Sequence, residues 1–334
     1  FTTTRASVAT RVNENGLIEE VAANVPRLDY SDGTCPSLLL EGTATNLITY
    51  SEDFSNSSWS KANITLTSNN SISPDGTLNA DKLEFTTSSG EINRSLGIVI
   101  GQEYTISFYA KTESGTINFN YGNIDYTVVG GIATTEWQRF EVTQTAPATT
   151  RFPKIQTTEI GSLLLWGFQI EQNSYATSYV KTVGTTQTRV YDTASLLNLD
   201  TNNLVTNSGS WTVLVELELL SNSIGSDKIQ LTDASGSPRA YLYNSSMGIS
   251  GTDWTGGTTI PMNTNNKIIY RANSTQSITA FKNGVNSVTM TSTSTPITFN
   301  RIFFSGGNGA FKVKQMQVFN TTLSDTECIN LTTI

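Results

Sequence analysis

Histidine is absent from this chain of 334 residues, and cysteine occurs only at positions 35 and 328. The first absence removes the commonest general base, the commonest zinc ligand and every serine or cysteine nucleophile that histidine activates. Two cysteines outside any C-x-x-C pair are too few for a disulfide framework. An enzyme built on this chain would have to use carboxylates, lysine or tyrosine.

Charge is also scarce, since 14% of residues are charged and the net charge is −8. Neither sign forms a run, so no basic stripe is available to neutralise phosphates or anionic lipid, and we expect no nucleic-acid or membrane partner. The longest apolar runs, such as SLLLWGF from Ser162, fall far below the roughly 18 residues that span a bilayer. The chain starts at Phe1 rather than Met, so we expect processing or truncation at this end.

What the sequence does contain is alternation between apolar and polar residues, broken by serine, threonine, asparagine and glycine. In EYTISFYAKT the apolar side chains fall on every second residue from Tyr104 to Ala110, and in WTVLVELEL they do so from Trp211 to Leu219. This period is that of a strand with one buried face. Repeated short runs of this kind predict an all-β protein of sandwiches or barrels.

Two local signals predict how the C-terminal strands are connected. Asn283-Gly284 can take the positive φ angles of a type I′ turn, so ITAFKNGVNSVTM is predicted to form a two-residue hairpin. In FKVKQMQVF the apolar positions shift by one residue, which predicts a bulge or an edge strand. Because Lys312 and Lys314 lie in this run, we favour the edge strand.

One helix is predicted near the end of the chain. Ser324 is placed as its N-cap and Glu327 follows three residues later, which is a capping box. Leu323 and Cys328 then stand at the two ends of a hydrophobic staple. Cys328 is therefore predicted to pack in the core rather than to react.

Several separated stretches resemble phage tail-fibre and other virion-attached adhesion proteins. TRASVATRVNENGLIEEVAANVPRLDYSDG and SLLLEGTATNLITYSEDFSNSSW resemble the segment that leads into a carbohydrate-binding-like jelly roll, and WGFQIEQNSYATSYVKT resembles the strand that closes it. The C-terminal part is similar to concanavalin A-like or laminin G-like domains. The resemblance implies a virion-surface fibre component that is trimeric or otherwise oligomeric, contacts other virion proteins and binds a host-surface glycan.

The predicted fold is therefore two consecutive β-sandwich (jelly-roll) domains after an extended N-terminal segment. Residues 1–46 are assigned to the segment, 47–183 to the carbohydrate-binding-like jelly roll and 184–334 to the concanavalin A/laminin G-like sandwich. The stretch from Trp166 to Arg189 is interpreted as the seam between the two modules. Trp166, Phe168 and Ile170 are predicted to face inward, and Tyr179 to pack the exit against the first sandwich.

Glycan binding requires aromatic rings that stack on sugar CH groups, together with amides and carboxylates for the hydroxyls. The leading candidate is Trp254 in SGTDWTGG, with Asp253 beside it, because this loop lacks alternation. The other candidates share an aromatic ring in a loop or on a strand: Trp59, Tyr121, Tyr126, Tyr241 and Tyr243. Ordinary packing is the alternative for every one of these residues.

No catalytic site is predicted. Concanavalin A-like glucanases carry their carboxylates on one strand as E-x-D-x-x-E, and the same register here reads Glu216, Glu218 and Ser221, so the pair is incomplete. Alternation places both glutamates on the solvated face. Carboxylates brought together from distant loops, such as Asp253 with Asp227 or Asp233, stay open as an alternative.

The resemblance also implies one structural calcium ion, because related jelly rolls bind calcium near their first and last strands. Glu52 and Asp53 would supply the first-strand ligands, whereas Trp166-Gly167 stands where a last-strand carboxylate is expected. No other cofactor is predicted. The predicted function is glycan recognition without catalysis, with a structural virion protein and a glycan depolymerase as alternatives.

Overall fold

A computed structural model of the chain describes residues 2–157, 159–197, 210–221, 227–232, 238–243, 246–249, 260–274, 277–291, 300–307 and 309–334. Its strands are numbered β1 to β29 along the chain, and one helix is described. The residues form two compact units: unit 1 comprises Phe1–Glu14, Val21–Thr43 and Val190–Ile334, and unit 2 comprises Asn15–Glu20 and Ala44–Arg189. The predicted all-β class is confirmed. No helix among the described residues is long and apolar enough to cross a membrane.

Unit 2 is a sandwich of two five-stranded antiparallel sheets. The first sheet contains, in spatial order, β14 (Val128–Ala133), β13 (Ile117–Gly122), β17 (Lys154–Thr157), β10 (Glu91–Asn93) and β7 (Ser60–Ala62). The second contains β15 (Gln138–Thr145), β12 (Glu103–Lys111), β18 (Gly161–Glu171), β9 (Leu78–Phe85) and β8 (Ile64–Ile72). Two short pairs complete the unit: β11 (Leu96–Gly97) with β16 (Thr150–Arg151), and β6 (Ala44–Asn46) with β19 (Gln187–Arg189).

The core of unit 2 is built from the alternating positions that the sequence predicts. Tyr104, Ile106, Phe108 and Ala110 of β12 are buried, as are the apolar residues of β13. Apolar side chains on the facing sides of the two sheets pack together, and their removal from water is the main favourable term.

One prediction for this core is wrong. Phe168 and Ile170 lie in the main core, but Trp166 packs in a separate cluster with Tyr179, at a ring distance of 4.6 Å. The cause is a bulge in β18, where the pairing with β12 shifts and Gly167 has φ 65°. A bulge inserts one residue and reverses which face the following side chains occupy. Tyr179 does pack the exit of the chain against this sandwich, as predicted.

Unit 1 is a second sandwich, and the N-terminal segment is part of it. Its six-stranded sheet contains β1 (Thr2–Thr4), β20 (Thr193–Leu196), β28 (Arg301–Ser305), β22 (Asp227–Thr232), β23 (Pro238–Tyr243) and β24 (Ser246–Ile249). Its seven-stranded sheet contains β27 (Val285–Thr291), β26 (Ser277–Lys282), β25 (Asn265–Ser274), β21 (Thr212–Leu219), β29 (Ala310–Phe319), β5 (Ser37–Glu41) and β4 (Leu28–Asp29). Strand β2 (Ala9–Val12) also belongs to unit 1, whereas residues 18–20 of β3 (Ile18–Val21) belong to unit 2.

The N-terminal segment contributes strands to the C-terminal sandwich: β1 pairs with β20 and β5 pairs with β29, while β4 extends the same sheet by pairing with β5. This pairing also corrects the edge assignment for β29, which lies between β21 and β5. The alternative, a bulge, is present: the register with β21 skips Lys314. Lys312 is buried and pairs with Asp29 and Asp32 at 3.4 and 2.8 Å.

The local signals near the C-terminus are confirmed. Asn283 and Gly284 have φ angles of 49° and 80°, and they join β26 to β27 as a two-residue hairpin. The helix α1 (Asp325–Thr332) begins after the N-cap Ser324, and the capping box with Glu327 is present. Cys328 is buried and packs with Leu323.

A buried group of charged residues joins the N-terminal segment to the rest of unit 1. The carboxylate of Asp192 accepts from Arg5 at 2.9 Å and from Arg27, and Arg27 also donates to Glu41 at 2.6 Å. The main-chain N–H of Glu41 donates to Asp192 at 3.0 Å. Buried charges are tolerated only when they are paired and hydrogen-bonded in this way.

We predict that Asp192→Asn lowers the free energy of unfolding of unit 1 by about 3–5 kcal/mol, since it removes one partner of a buried ion pair. The matched control is Glu218→Gln in the same unit, because Glu218 pairs with Lys314 at 3.2 Å at a partly exposed position. That change is expected to cost about 0–1 kcal/mol. Urea unfolding of both variants measures the difference, and equal losses would contradict the prediction.

Candidate functional site

Two of the predicted aromatic residues belong to the core of unit 2. Trp59 is only 2% exposed, lies 5.2 Å from Phe54 and 5.1 Å from Phe168 between ring centroids, and donates through Nε1 to Tyr50 O at 3.0 Å. Tyr121 is 7% exposed, and its hydroxyl donates to Glu141 O at 3.1 Å. Neither ring presents a face to solvent, so packing accounts for both residues and corrects their assignment as glycan candidates.

Other candidates lie in unit 1 or outside the described residues. Trp254 and Asp253 fall outside them, as does Asp233, and the side chains of Tyr243 and Asp227 are likewise not described. Tyr241 is half-buried on β23, where its main-chain oxygen accepts from the Tyr270 hydroxyl at 2.8 Å. These residues therefore stay predictions.

Tyr126 differs from the others because it is 63% exposed and yet firmly held. It lies in the loop that joins β13 to β14, with a φ of 72° that non-glycine residues seldom adopt. The guanidinium carbon of Arg151 lies 3.6 Å from the centre of its ring. One face of the ring is therefore covered by a cation, an arrangement that stabilises a ring at the surface.

The loop beneath Tyr126 is fixed by side chains from two neighbouring strands. Arg151 donates from Nε to Ile124 O at 2.5 Å and from Nη2 to Asn123 O at 2.9 Å. Gln144 accepts from Ile124 N at 2.8 Å and donates to Asp125 Oδ1 at 2.7 Å. Because the loop carbonyls and amides are bonded from both sides, Tyr126 is presented in one orientation. We call Tyr126 with the Arg151 side chain below it the aromatic platform.

A second exposed aromatic residue is tied to the same loop. Phe152 is 46% exposed, and its main-chain oxygen accepts from Asn123 Nδ2 at 2.8 Å. Residue patterns do not select Phe152. The available signal is its position before Pro153, since a proline has no N–H to donate to a neighbouring strand and so interrupts a buried strand at this point.

The outer face of the first sheet of unit 2 is polar and adjoins this loop. Asn120, Gln156 and Glu91 stand opposite one another on β13, β17 and β10. All three side chains are half-exposed, whereas the residues next to each of them on the same strand are buried. On the next positions Lys154 pairs with Glu91 at 3.0 Å, and Asn93 Nδ2 donates to Glu91 at 2.9 Å. We call these five residues the amide face; they offer both donors and acceptors to hydroxyl groups.

Two neighbouring carboxylates of unit 2, Glu52 and Asp75, are the candidates for a catalytic pair. Glu52 and Asp75 both accept from Asn79 Nδ2 at 3.2 Å. Glu52 pairs with Lys181 at 2.8 Å and accepts from the Tyr179 hydroxyl at 2.9 Å. Burial acts to raise the pKa of Asp75, but hydrogen bonds from Ser73, Thr77 and Asn79 outweigh it and leave that pKa lowered. A carboxyl with a lowered pKa, such as that of Asp75, is a poor proton donor for glycoside hydrolysis.

Other carboxylates hold the fold together, among them Asp81, whose pKa is raised by burial and which accepts from Phe54 N and Asn69 N. Burial raises the pKa of Glu171, whose carboxylate accepts from Thr177 and Gln169 inside unit 2. On β21, Glu216 accepts from Asn265 at 2.5 Å and Glu218 pairs with Lys314. Each of these carboxylates forms a hydrogen bond or an ion pair with neighbouring side chains or main chain.

The predicted calcium ligands do not converge on one point. Glu52 faces Tyr179 and Lys181, whereas Asp53 Oδ1 accepts from Ser55 N and Asn56 N at 3.1 and 3.2 Å and so closes its own loop. The main-chain oxygens of that loop surround the ammonium of Lys61. Within the described part of the chain, no group of three or more Cys, Asp or Glu side chains could hold a metal ion. These residues do not fit the calcium site that the resemblance implies.

The Tyr179 hydroxyl gives unit 2 a predicted sensitivity to alkaline pH. Burial, together with the Glu52 charge, raises its pKa well above the ordinary value of 10.0. In the unfolded chain the phenol ionises near that ordinary value, while the folded protein keeps its proton, so stability falls as pH rises above about 10. The loss approaches about 1.4 kcal/mol per pH unit for one group. Urea unfolding between pH 9 and about 11 should show a steeper decline for the wild type than for Tyr179→Phe, and parallel curves would contradict this.

No protein-family model and no curated protein matches the chain. Among solved structures, the chain is similar to a CBM4 carbohydrate-binding module, with 16% identity over 43% of this chain and 90% of that chain and a TM-score of 0.27. It is similar to the CBM22-1-CBM22-2 tandem domain of Paenibacillus barcinonensis Xyn10C, with 13% identity over 83% and 98% and a TM-score of 0.32. It is also similar to the enzymatically active domain of bacteriophage CBA120 tailspike protein 4, with 13% identity over 37% and 21% and a TM-score of 0.27. TM-scores this low transfer neither a ligand nor an activity to this chain.

Proposed function

We propose that this chain recognises a host-surface glycan without chemical turnover, as a fibre or adhesin component on the surface of a bacteriophage virion. The observation that carries the glycan part is the aromatic platform: Tyr126 is highly exposed, yet Arg151 and the bonded loop hold it in one orientation. A single exposed ring is ordinary on a protein surface, so what marks Tyr126 is the support of its ring from below and the bonded loop that carries it.

The platform suits a sugar for a physical reason. A tyrosine ring stacks on the apolar CH face of a pyranose, and this contact is worth more when the ring is already immobile before binding. Arg151 occupies one face of the Tyr126 ring, so the other face is available to a ligand. Phe152, whose main-chain oxygen is bonded to the same loop, is a second exposed aromatic residue.

The amide face supplies the second half of glycan chemistry. Asn120, Gln156 and Asn93 can each donate to and accept from a hydroxyl, and Lys154 and Glu91 add charged partners. A shallow site of this kind binds weakly. Oligomerisation, for which we favour a trimer attached to other virion proteins, would raise avidity by roughly 10² to 10⁴ through linked sites.

Two other functions remain distinguishable. A purely structural virion protein would need no exposed ring that is held in one orientation, so Tyr126 argues against it. A glycan depolymerase needs a protonated carboxyl next to a second carboxylate, whereas Asp75 is ionised and Glu52 is paired with Lys181. A host surface that fails to bind the protein at all would favour the structural alternative.

Replacing Tyr126 by alanine tests the proposed site. On a glycan array, Tyr126→Ala is expected to weaken binding about tenfold, because truncating an anchoring aromatic typically costs about 1–2 kcal/mol. Tyr126→Phe keeps the ring and should bind within about twofold of the wild type. The matched control is Tyr191→Ala, which removes a tyrosine that is 48% exposed in unit 1.

Comparing the binding losses of two variants shows which aromatic residue belongs to the glycan site. Unchanged binding by Tyr126→Ala together with loss of binding by Trp254→Ala would refute the platform and place recognition in unit 1. Unchanged binding by both variants would remove both aromatic candidates.

The absence of turnover is tested on the glycan that the array identifies. Incubation with that polysaccharide should release no new reducing ends above a buffer blank, since the lowered pKa of Asp75 makes it a poor proton donor for glycoside hydrolysis. Steady release by the wild type would establish a depolymerase. The Glu52→Gln variant then shows whether the Glu52 and Asp75 pair is responsible.

A further inference from the structure

The loop that precedes β7 wraps around a single ammonium group. Nζ of Lys61 lies 2.8 Å from Phe54 O, 3.3 Å from Ser55 O, 3.2 Å from Asn56 O and 3.0 Å from Trp59 O. An ammonium has three hydrogens, so four carbonyl oxygens at these distances surround it as ligands surround an ion. Ordinary lysine ion pairs on the surface involve a carboxylate and leave most of the ammonium to water.

Two carboxylates hold the same loop from its other side. Asp81 is buried and accepts from Phe54 N at 3.0 Å and from Asn69 N at 2.9 Å. Asp53 accepts from Ser55 N and Asn56 N. The peptide groups around Phe54 are therefore held at their N–H by carboxylates and at their carbonyl by Lys61.

This arrangement partly buries the ammonium group of Lys61. Partial burial lowers the pKa of Lys61, while the charges of Asp53 and Asp81 oppose that shift. The group stays cationic, and its charge balances the acidic residues next to it. The loop in turn positions Phe54 and Trp59, whose rings lie 5.2 Å apart in the core of unit 2.

Carbonyl and carboxylate oxygens around one positive charge are the donor set that hard cations select in proteins. Here the positive charge is the ammonium of Lys61. It would repel a divalent ion placed among the same oxygens. We propose that the loop of residues 54–59 is a cation site occupied by the chain's own Lys61, so that this sandwich orders the loop without a bound metal ion. When the side chain is removed, the site should accept a small cation that can donate hydrogen bonds, such as free ammonium.

Hydrogen exchange of the full chain tests this locally. In Lys61→Met the amides of Phe54 and Trp59 should exchange at least roughly tenfold faster than in the wild type, because the carbonyls lose their common donor. Lys82→Met is the matched control in the same unit, since Lys82 pairs with the carboxylates of Glu84 and Glu113 at 3.2 and 2.7 Å. Its loop amides should stay within about twofold of the wild type.

Two further measurements separate the ammonium from a metal. A chelator should leave wild-type exchange of the loop unchanged, and added calcium should not slow it. In Lys61→Ala, ammonium chloride should restore part of the protection, whereas tetramethylammonium chloride at equal ionic strength, which has no donor, should not.

Three results would each overturn the proposal. The first is wild-type exchange rates in Lys61→Met, and the second is loss of loop protection in the wild type under chelator with recovery on calcium. The third is equal effects of the two ammonium salts on Lys61→Ala. The chelator measurement uses the unaltered protein, so it decides the matter even if the variants fold poorly.

Discussion

Cationic side chains that donate to main-chain carbonyls hold the loops and irregular segments of this protein. A segment without strand pairing leaves its carbonyls unpaired, and a buried carbonyl needs a donor. Arg5 donates to Ser7 O and Ala22 O at 2.9 and 2.7 Å in unit 1. In unit 2, Lys61 donates to carbonyls of the loop of residues 54–59, and Arg151 donates to carbonyls of the loop of residues 122–127. With few charged residues overall, the chain places several of its cations where they organise backbone.

The same interaction links the fold to the proposed function. Arg151 stabilises the loop through its nitrogens and supports Tyr126 through its flat face, because a guanidinium can do both at once. A lysine at this position could not stack and donate in two directions. The aromatic platform thus depends on the same contacts that close the hairpin, and recognition needs only one exposed face of a ring that is already in place.

Residue patterns predicted the parts of the fold that depend on period and on local backbone geometry. The buried faces of β12 and β21, the Asn283-Gly284 hairpin and the Ser324 capping box follow from rules that act over a few residues. The bulge at Gly167 was missed because the run LLLWGF contains no polar residue, so its pattern does not show where the faces exchange. The pairing of β5 with β29 was missed because more than 260 residues separate the two strands, and alternation carries no information about partners.

The candidate site was predictable only in part. Trp59 and Tyr126 look alike in sequence, as aromatic residues among serine, asparagine and aspartate, yet one is in the core and the other is exposed. What separates them is the Arg151 side chain, which approaches Tyr126 from a strand 25 positions away. The resemblance to virion adhesion proteins predicted a glycan ligand, but it did not indicate which aromatic ring would contact that ligand.

The division of the chain has a consequence for synthesis on the ribosome. Strands β1 and β5 are synthesised before residues 44–189, but their partners β20 and β29 lie beyond residue 190. Residues 44–189 can fold as a sandwich before those partners are made, because this stretch contains both five-stranded sheets of unit 2. The edge of β5 would therefore stay unpaired with β29 until residues 310–319 have been synthesised, and Arg5, which directly follows β1, would help to keep that strand from pairing with other chains.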